Sequence, residues 1–141
     1  MPRILGVDYG QRRVGLAVSD PTGIIATPLS VVEVTSDGEA VRRVADTARA
    51  VEAEKVVVGL PISLSGTEGP MAAKVRAFVA ELAKRVAIPV ETWDERLTTS
   101  LVERMLVDAD VSRQRRRQVR DKLAAQVLLQ GYLDRLQAET E

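Results

Sequence analysis

The sequence contains no cysteine and no histidine among its 141 residues. Without cysteine the chain can form no disulfide, no thiolate metal site and no thiol nucleophile. Without histidine it lacks the commonest general base of enzymes and the usual ligand of zinc. Aromatic residues make up only 3% of the chain, so an aliphatic core of Val, Leu, Ala and Ile is expected. Any catalysis must therefore use carboxylates, lysines, hydroxyls or a bound metal ion.

The sequence also lacks an apolar run as long as a membrane span and a charged-then-apolar signal pattern at its start. The expected location is therefore the cytoplasm. The chain carries no net charge, because 20 basic residues balance 20 acidic ones. This balance does not exclude a polyanionic partner, since the distribution of charge matters more than its sum. A single domain over residues 1–141 is expected, and this length is sufficient to bury a core.

Apolar runs and turn residues predict an alternation of strands and helices along the chain. Pro28, in the third predicted strand, indicates an edge or an irregularity of the sheet. In chain order the predicted elements are strands at 3–8, 13–19 and 24–34, a helix at 37–54, a strand at 55–61, a helix at 70–85, a strand at 88–94, and helices at 98–108 and 114–137.

The element order β-β-β-α-β-α-β-α-α predicts an α/β fold with a mixed five-stranded sheet and helices on both faces. Short turns join the first three strands, which should be antiparallel neighbours, whereas the later strands should be parallel crossovers. Functional sites in such sheets collect at the carboxyl ends of the parallel strands. Asp8 stands at that end of the first strand, and Asp94 and Glu95 stand at that end of the last.

A third acid, Asp121, shares one stripe of the last predicted helix with Ala125, Leu128 and Tyr132. A lone buried carboxylate is costly unless it is paired or bound to a cation. Each acid alone could instead cap a helix or form a surface ion pair. Together, Asp8, Glu95 and Asp121 could reach one place and form a hard oxygen site suited to Mg²⁺ or Mn²⁺.

Divalent ions held by shared carboxylates can activate water and stabilise the leaving oxygen of a phosphodiester. In this two-metal arrangement the ions perform the task that a histidine would otherwise perform. The predicted chemistry is therefore phosphodiester hydrolysis, with Asp8, Glu95 and Asp121 as both metal ligands and catalytic residues.

The chain resembles the YqgF family, also called RuvX, in four segments: "GVDYGQRRVGLAVSD", "VVGLP", "DERLTT" and "DKLAAQVLL". The segments occur in the family's order and cover nearly the whole chain. The acids of the family pattern fall on Asp8, Glu95 and Asp121. Its glycine, basic and aliphatic positions in the first segment fall on Gly10, Arg12, Val14, Gly15 and Ala17.

The resemblance implies a ribonuclease H-like fold and a metal-dependent nuclease. Members are described as processing the 5′ end of precursor 16S ribosomal RNA, which is the leading interpretation here. The alternative is resolution of four-way DNA junctions, that is, Holliday junctions. The chain departs from the family at Trp93, where members often carry histidine. Trp93 is interpreted as packing at the strand end rather than as a platform for a base.

Basic residues are concentrated between Ser112 and Lys122, where five arginines and one lysine accompany a single aspartate. Such a run could be a solvated helix face or a phosphate contact, and the residues alone leave both readings open. Arg96 could likewise pair with an acid or with substrate. The predicted nucleic-acid-binding residues are Arg12, Arg96, Arg113, Arg116, Arg117 and Arg120. Another candidate for phosphate binding is the loop "GLPISLSGTEGP", through its backbone amides.

Two other function classes are less favoured. A non-catalytic nucleic-acid module would be expected to have lost its acids, whereas this chain keeps three. An actin- or hexokinase-like ATP site needs two lobes, and the chain supplies one. A homodimer is expected if the substrate is a junction, because two symmetric cuts need two sites. Apolar residues of the 98–111 segment could form that contact or could be buried within one chain.

Overall fold

A computed structural model of the protein describes residues 3–63, 65–94 and 112–140, with the backbone alone for 113–122 and 140. The five strands are β1 (Arg3–Tyr9), β2 (Arg13–Ser19), β3 (Ala26–Glu33), β4 (Ala53–Leu60) and β5 (Val90–Asp94). The helices within the described residues are α1 (Asp37–Ala50), α2 (Pro70–Arg85) and α3 (Arg113–Thr140). In this part of the chain, no helix combines the length and apolar character needed to cross a membrane.

The strands form one mixed sheet in the order β3-β2-β1-β4-β5. β1 and β3 both pair antiparallel with β2, whereas β4 pairs parallel with β1 and β5. This arrangement confirms the predicted mixed five-stranded sheet. It also brings the carboxyl ends of β1, β4 and β5 to a single edge, which we call the carboxyl edge. The central strand of the sheet is β1, so its end lies in the middle of that edge.

Helices cover both faces of the sheet, as predicted. α1 and α2 pack on one face over a core that includes Leu5, Val7 and Val58. α3 packs on the other face over a smaller core that includes Ile4 and Val57. Side chains alternate between faces along a strand, so successive residues of β1 contribute to different cores.

The third strand, β3, is an outermost strand of the sheet and has a neighbour on one side only, as Pro28 indicated. Pro28 pairs with Ala17 and Ser30 pairs with Leu16, so Leu29 is an extra residue in the ladder. Proline donates no backbone hydrogen bond and is tolerated at such an edge.

Several predicted boundaries were wrong by a few residues. The helix predicted at 37–54 ends at Ala50, because Glu52 adopts a left-handed φ of 56° that a helix cannot contain. The next strand consequently begins at Ala53. The strand predicted at 24–34 begins only at Ala26, because the Asp20 carboxylate accepts the amides of Ile24 and Ile25 and keeps them in a turn. The helix predicted at 98–108 lies outside the described residues.

Candidate active site

Asp8 lies at the carboxyl edge as the penultimate residue of β1, and it is half-buried. Strand alternation places it on the α3 face, with Ile4 and Gly6. On β2 its pairing partner is Gly15. On β4, Val58 pairs with Val7, so the next residue, Gly59, lies beside Asp8. The two strand positions that flank Asp8 on this face are therefore both glycines, which carry no side chain.

The last helix runs antiparallel to β1 and rests very closely on it. A Cβ atom built on Gly6 would lie 2.8 Å from Cβ of Leu129 and 3.3 Å from the backbone oxygen of Ala125. Farther along the helix, the amide group of Gln137 lies 3.5 Å from the backbone oxygen of Gly23, beyond the start of β1. The turn that contains Asp121 precedes Ala125, so its backbone lies toward the end of β1 that carries Asp8.

The stripe predicted for α3 is confirmed where its side chains are described. Ala125, Leu128 and Tyr132 are all buried against the sheet. Asp121 lies one turn before Ala125 in the same stripe. The absence of a Cβ at Gly6 explains how the helix approaches the sheet so closely, a contact that the sequence did not reveal.

The structure describes the predicted site residues to different extents. Asp8 lies within the described residues. For Asp121 and for the basic residues of the last helix the backbone lies in α3, whereas Glu95 and Arg96 fall outside the described residues. No three acidic side chains within the described part come together as a cation site. The triad of Asp8, Glu95 and Asp121 stays a prediction. The predicted basic residues of α3 are Arg113, Arg116, Arg117 and Arg120.

Arg12 lies in the tight turn between β1 and β2, next to the strand end that carries Asp8. Its backbone oxygen accepts a 2.8 Å hydrogen bond from the amide of Val34, which fixes the turn against the end of β3. Gly10 allows this turn, because a Cβ there would lie 2.6 Å from the backbone oxygen of Arg13. The Arg12 side chain is exposed and borders an open depression of about 670 Å³ at this end of the sheet.

The residue after Asp8 anchors the strand end on the opposite face. The ring of Tyr9 stacks on Phe78 of α2 with centroids 4.6 Å apart. Its hydroxyl donates a 2.5 Å hydrogen bond to the carboxylate of Asp37, the first residue of α1. Burial, followed by the bond to Asp37, raises the pKa of Tyr9 to about 12. Sequence reasoning missed this anchor, because the two partners are far apart in the chain.

Trp93 packs at the end of β5, which confirms the interpretation of this residue. Its ring meets Tyr132 of α3 edge to face at 5.6 Å, and the Arg135 guanidinium lies 5.6 Å from its ring centre. Tyr132 also accepts a hydrogen bond from Lys55 and donates one to Glu91, each of 2.8 Å. These contacts connect α3 to β4 and β5 and hold the helix against the sheet.

Asp20 lies at the opposite end of the sheet from Asp8. Its carboxylate accepts hydrogen bonds from the amides of Ile24 and Ile25 and from the Thr22 hydroxyl. The bond from the Ile25 amide and the other hydrogen bonds lower the pKa of Asp20 to about 2. The ionised carboxylate thus stabilises this turn, and Asp20 is a structural residue rather than a ligand of the carboxyl edge.

Three backbone amides of the loop after β4 donate hydrogen bonds within the loop itself. The amide of Ser63 donates to the backbone oxygen of Thr67, and that of Gly66 donates to the backbone oxygen of Ser63. The amide of Thr67 donates to Oγ of Ser63. These three amides are used within the loop, and binding of phosphate by the other backbone amides of the loop stays a prediction.

Comparison with protein families finds relatives over nearly the whole chain. A family model, RuvX, described as Holliday junction resolvase, matches residues 2–135. The chain belongs to the RuvX family. A RuvX relative from Desulforudis audaxviator is 48% identical over 132 residues, 94% of each chain, and bears the name "Putative pre-16S rRNA nuclease". One with the same name from Pelotomaculum thermopropionicum is 47% identical over 94% of this chain and 86% of its own.

Solved structures agree with RuvX membership at the level of the fold. RuvC of Thermus thermophilus, in complex with a Holliday junction substrate, has a TM-score of 0.57 at 14% identity, over 96% of both chains. The Holliday junction resolvase of fowlpox virus also gives 0.57, at 13% identity over 95% of this chain and 99% of its own. The RuvX chain thus has the ribonuclease H-like fold that the resemblance implied.

Proposed function

We propose that this RuvX protein is a metal-dependent nuclease that hydrolyses phosphodiester bonds of structured nucleic acid, and that its substrate is the 5′ end of precursor 16S rRNA. The observation that carries the proposal is the placement of Asp8. It ends the central strand at the carboxyl edge, is half-buried, and has glycine on both neighbouring strands. The names of the relatives support ribosomal RNA as the substrate.

Asp8, Glu95 and Asp121 would hold Mg²⁺ or Mn²⁺. Their carboxylate oxygens fit these hard cations. When bound, a pair of such ions activates water and stabilises the leaving oxygen. The rigid end of β1 holds Asp8 in place, and the hydrogen bond from Tyr9 to Asp37 keeps that strand end from shifting.

The basic residues of the protein would hold the sugar-phosphate backbone. Arg12 projects from the turn beside Asp8, and Arg96 directly follows Glu95 in sequence. Arg113, Arg116, Arg117 and Arg120 belong to the start of α3, ahead of Asp121. No aromatic residue interrupts this run, which favours contacts to phosphates over stacking on bases.

Replacing Arg116 and Arg117 together by alanine should weaken RNA binding and also reduce its dependence on salt. Each phosphate contact releases counterions, so each contact removed should lower the slope of log affinity against log salt by about one. The measurement is fluorescence anisotropy across a salt series. The matched control replaces Arg42 and Arg49 of α1, which are exposed on the other face of the sheet. If the variant of Arg116 and Arg117 shows the same slope of log affinity against log salt as the wild type, the basic run of α3 is a solvated helix face.

A cleavage assay tests the function itself. Purified protein with Mg²⁺ or Mn²⁺ is given precursor 16S rRNA, an unrelated single-stranded RNA and a mobile four-way DNA junction. We expect cleavage at the 5′ side of the precursor and much slower cleavage of the other two. The second candidate is a junction resolvase, favoured by the family's description. The junction would become the assigned substrate in place of ribosomal RNA if the protein makes paired symmetric cuts in it and light scattering shows a homodimer.

A further inference from the structure

A second group of polar side chains lies at the carboxyl edge, in the loop that follows β4. Since β4 is the parallel neighbour of β1, this loop leaves the sheet beside the strand end that carries Asp8. Its exposed hydroxyl residues are Ser63, Ser65 and Thr67, and we call this group the hydroxyl loop. The acids and arginines of the proposed nuclease site leave this group without an assigned role.

The backbone of the hydroxyl loop is fixed by its own hydrogen bonds. The amide of Ser63 donates to the backbone oxygen of Thr67 at 3.0 Å, and Gly66 adopts a left-handed φ of 88° to close the turn between them. An isolated bridge between Ile62 and Glu68 joins the two sides of the loop at its base. The hydroxyl groups are therefore held on a defined framework rather than on an open chain.

The three hydroxyl groups form a row. Oγ of Ser63 lies 2.8 Å from Oγ of Ser65, which lies 3.2 Å from Oγ1 of Thr67. Each hydroxyl carries one proton to donate. The two contacts within the row use at most two of the three protons. At least one O–H therefore remains to donate outward from an exposed row.

The charge around the hydroxyl loop is compatible with an anion. Its one carboxylate, Glu68, forms two hydrogen bonds with Arg76 of α2, Nε to Oε1 at 2.6 Å and Nη2 to Oε2 at 2.8 Å. The bond to Arg76 lowers the pKa of Glu68, so this group stays ionised and paired. Its negative charge is compensated by the guanidinium, which leaves neutral donors facing solvent.

We propose that the hydroxyl loop binds a non-bridging phosphate oxygen of the nucleic-acid backbone beside Asp8. This inference rests on the proposed nuclease function and adds a contact on the β4 side of Asp8, opposite the Arg12 turn. Serine and threonine hydroxyls are common donors to phosphate, and such contacts position a strand without reading its sequence. A neutral donor displaces no counterion, so its loss weakens binding without altering the dependence on salt.

The test compares the wild type with the double variant Ser65→Ala, Thr67→Val. Both changes spare Ser63, whose Oγ accepts the Thr67 amide and supports the turn. The control is Thr27→Val, an exposed threonine of β3 near the opposite end of the sheet. Binding of a fluorescein-labelled RNA that contains the 5′ end of precursor 16S rRNA is followed by anisotropy in EDTA across a salt series. We expect the double variant to bind about tenfold more weakly at every salt concentration, on a line parallel to that of the wild type.

Further measurements separate the outcomes. Thermal unfolding shows whether the variant is folded, and Thr67→Ser in the Ser65→Ala background restores one hydroxyl and should recover most of the affinity. Wild-type affinity in the folded double variant, or an equal loss in Thr27→Val, overturns the hydroxyl loop as a phosphate contact. Both results leave the nuclease function standing if the wild type still cuts RNA with Mg²⁺. A wild type that neither binds nor cuts RNA overturns both proposals.

Discussion

Asp8→Asn removes cleavage while the protein remains folded: this is the largest effect that we expect from any single substitution. Asparagine has nearly the shape of aspartate but lacks the negative charge needed to hold a divalent cation. Loss of an essential catalytic group costs on the order of 10⁴-fold in rate or more. Stability should be unchanged or slightly higher, because carboxylates brought to one place repel one another when no cation is bound. The measurements are cleavage of precursor 16S rRNA with Mn²⁺ and thermal unfolding of the same sample.

The matched control is Asp20→Asn, which makes the same chemical change at the other end of the sheet. The asparagine side-chain oxygen can still accept the amides of Ile24 and Ile25, so this variant should fold and cut RNA like the wild type. Full cleavage by Asp8→Asn, in protein free of other nucleases, would contradict the assignment of Asp8 to the site.

Gly6→Ala should cause the largest loss of stability. The new Cβ would lie 2.8 Å from Cβ of Leu129 and 3.3 Å from the backbone oxygen of Ala125. Both atoms belong to the rigid part of α3, so neither a side-chain rotation nor a small local shift relieves the clash. Overpacking of this kind typically costs about 1–3 kcal/mol. Urea unfolding measures the loss, and cleavage should also fall because the helix that moves carries Asp121.

The control for Gly6→Ala is the same substitution at Gly38, in the first turn of α1. A Cβ there would meet only Oγ of Ser36, at 4.0 Å. Alanine is favoured over glycine in a helix by up to about 1 kcal/mol, so Gly38→Ala should stabilise the protein. If the change in the free energy of unfolding has opposite signs at the two positions, the destabilisation at Gly6 is caused by the close approach of α3. Equal, small effects at both positions would show that α3 does not rest on the sheet at this point.

The sequence predicted the sheet well because its signals are local. The apolar run at 55–61 and the short turns between the first strands determine which strands pair in parallel and which in antiparallel fashion. The end of the helix at Ala50 was not predictable in this way, because the left-handed backbone of Glu52 has no counterpart in hydrophobic periodicity. The late start of the strand predicted at 24–34 was not predictable either, because the Asp20 side chain accepts hydrogen bonds from backbone amides at its beginning.

At the candidate site, local sequence patterns predicted only some of the structural features. A strand end near Asp8 and a helix that carries Asp121 were visible in sequence; β1 ends one residue later, at Tyr9, and the helix spans Arg113–Thr140. The roles of Gly59 and of Tyr9 were not visible. Gly59 lies beside Asp8 only because of the register between two strands that are distant in the chain. Tyr9 depends on a partner, Asp37, that a separate helix supplies.

The antiparallel placement of α3 on β1 has a consequence for protein synthesis. The ribosome makes β1 first, with Asp8 at its end, and it makes α3 with Asp121 only after every strand of the sheet. A nascent chain therefore carries one of these acids long before the other exists, and the contact of Gly6 with Leu129, which packs α3 on β1, has a very large sequence separation. If both acids are needed for cleavage, a nuclease built this way cannot cut RNA while its own synthesis is incomplete.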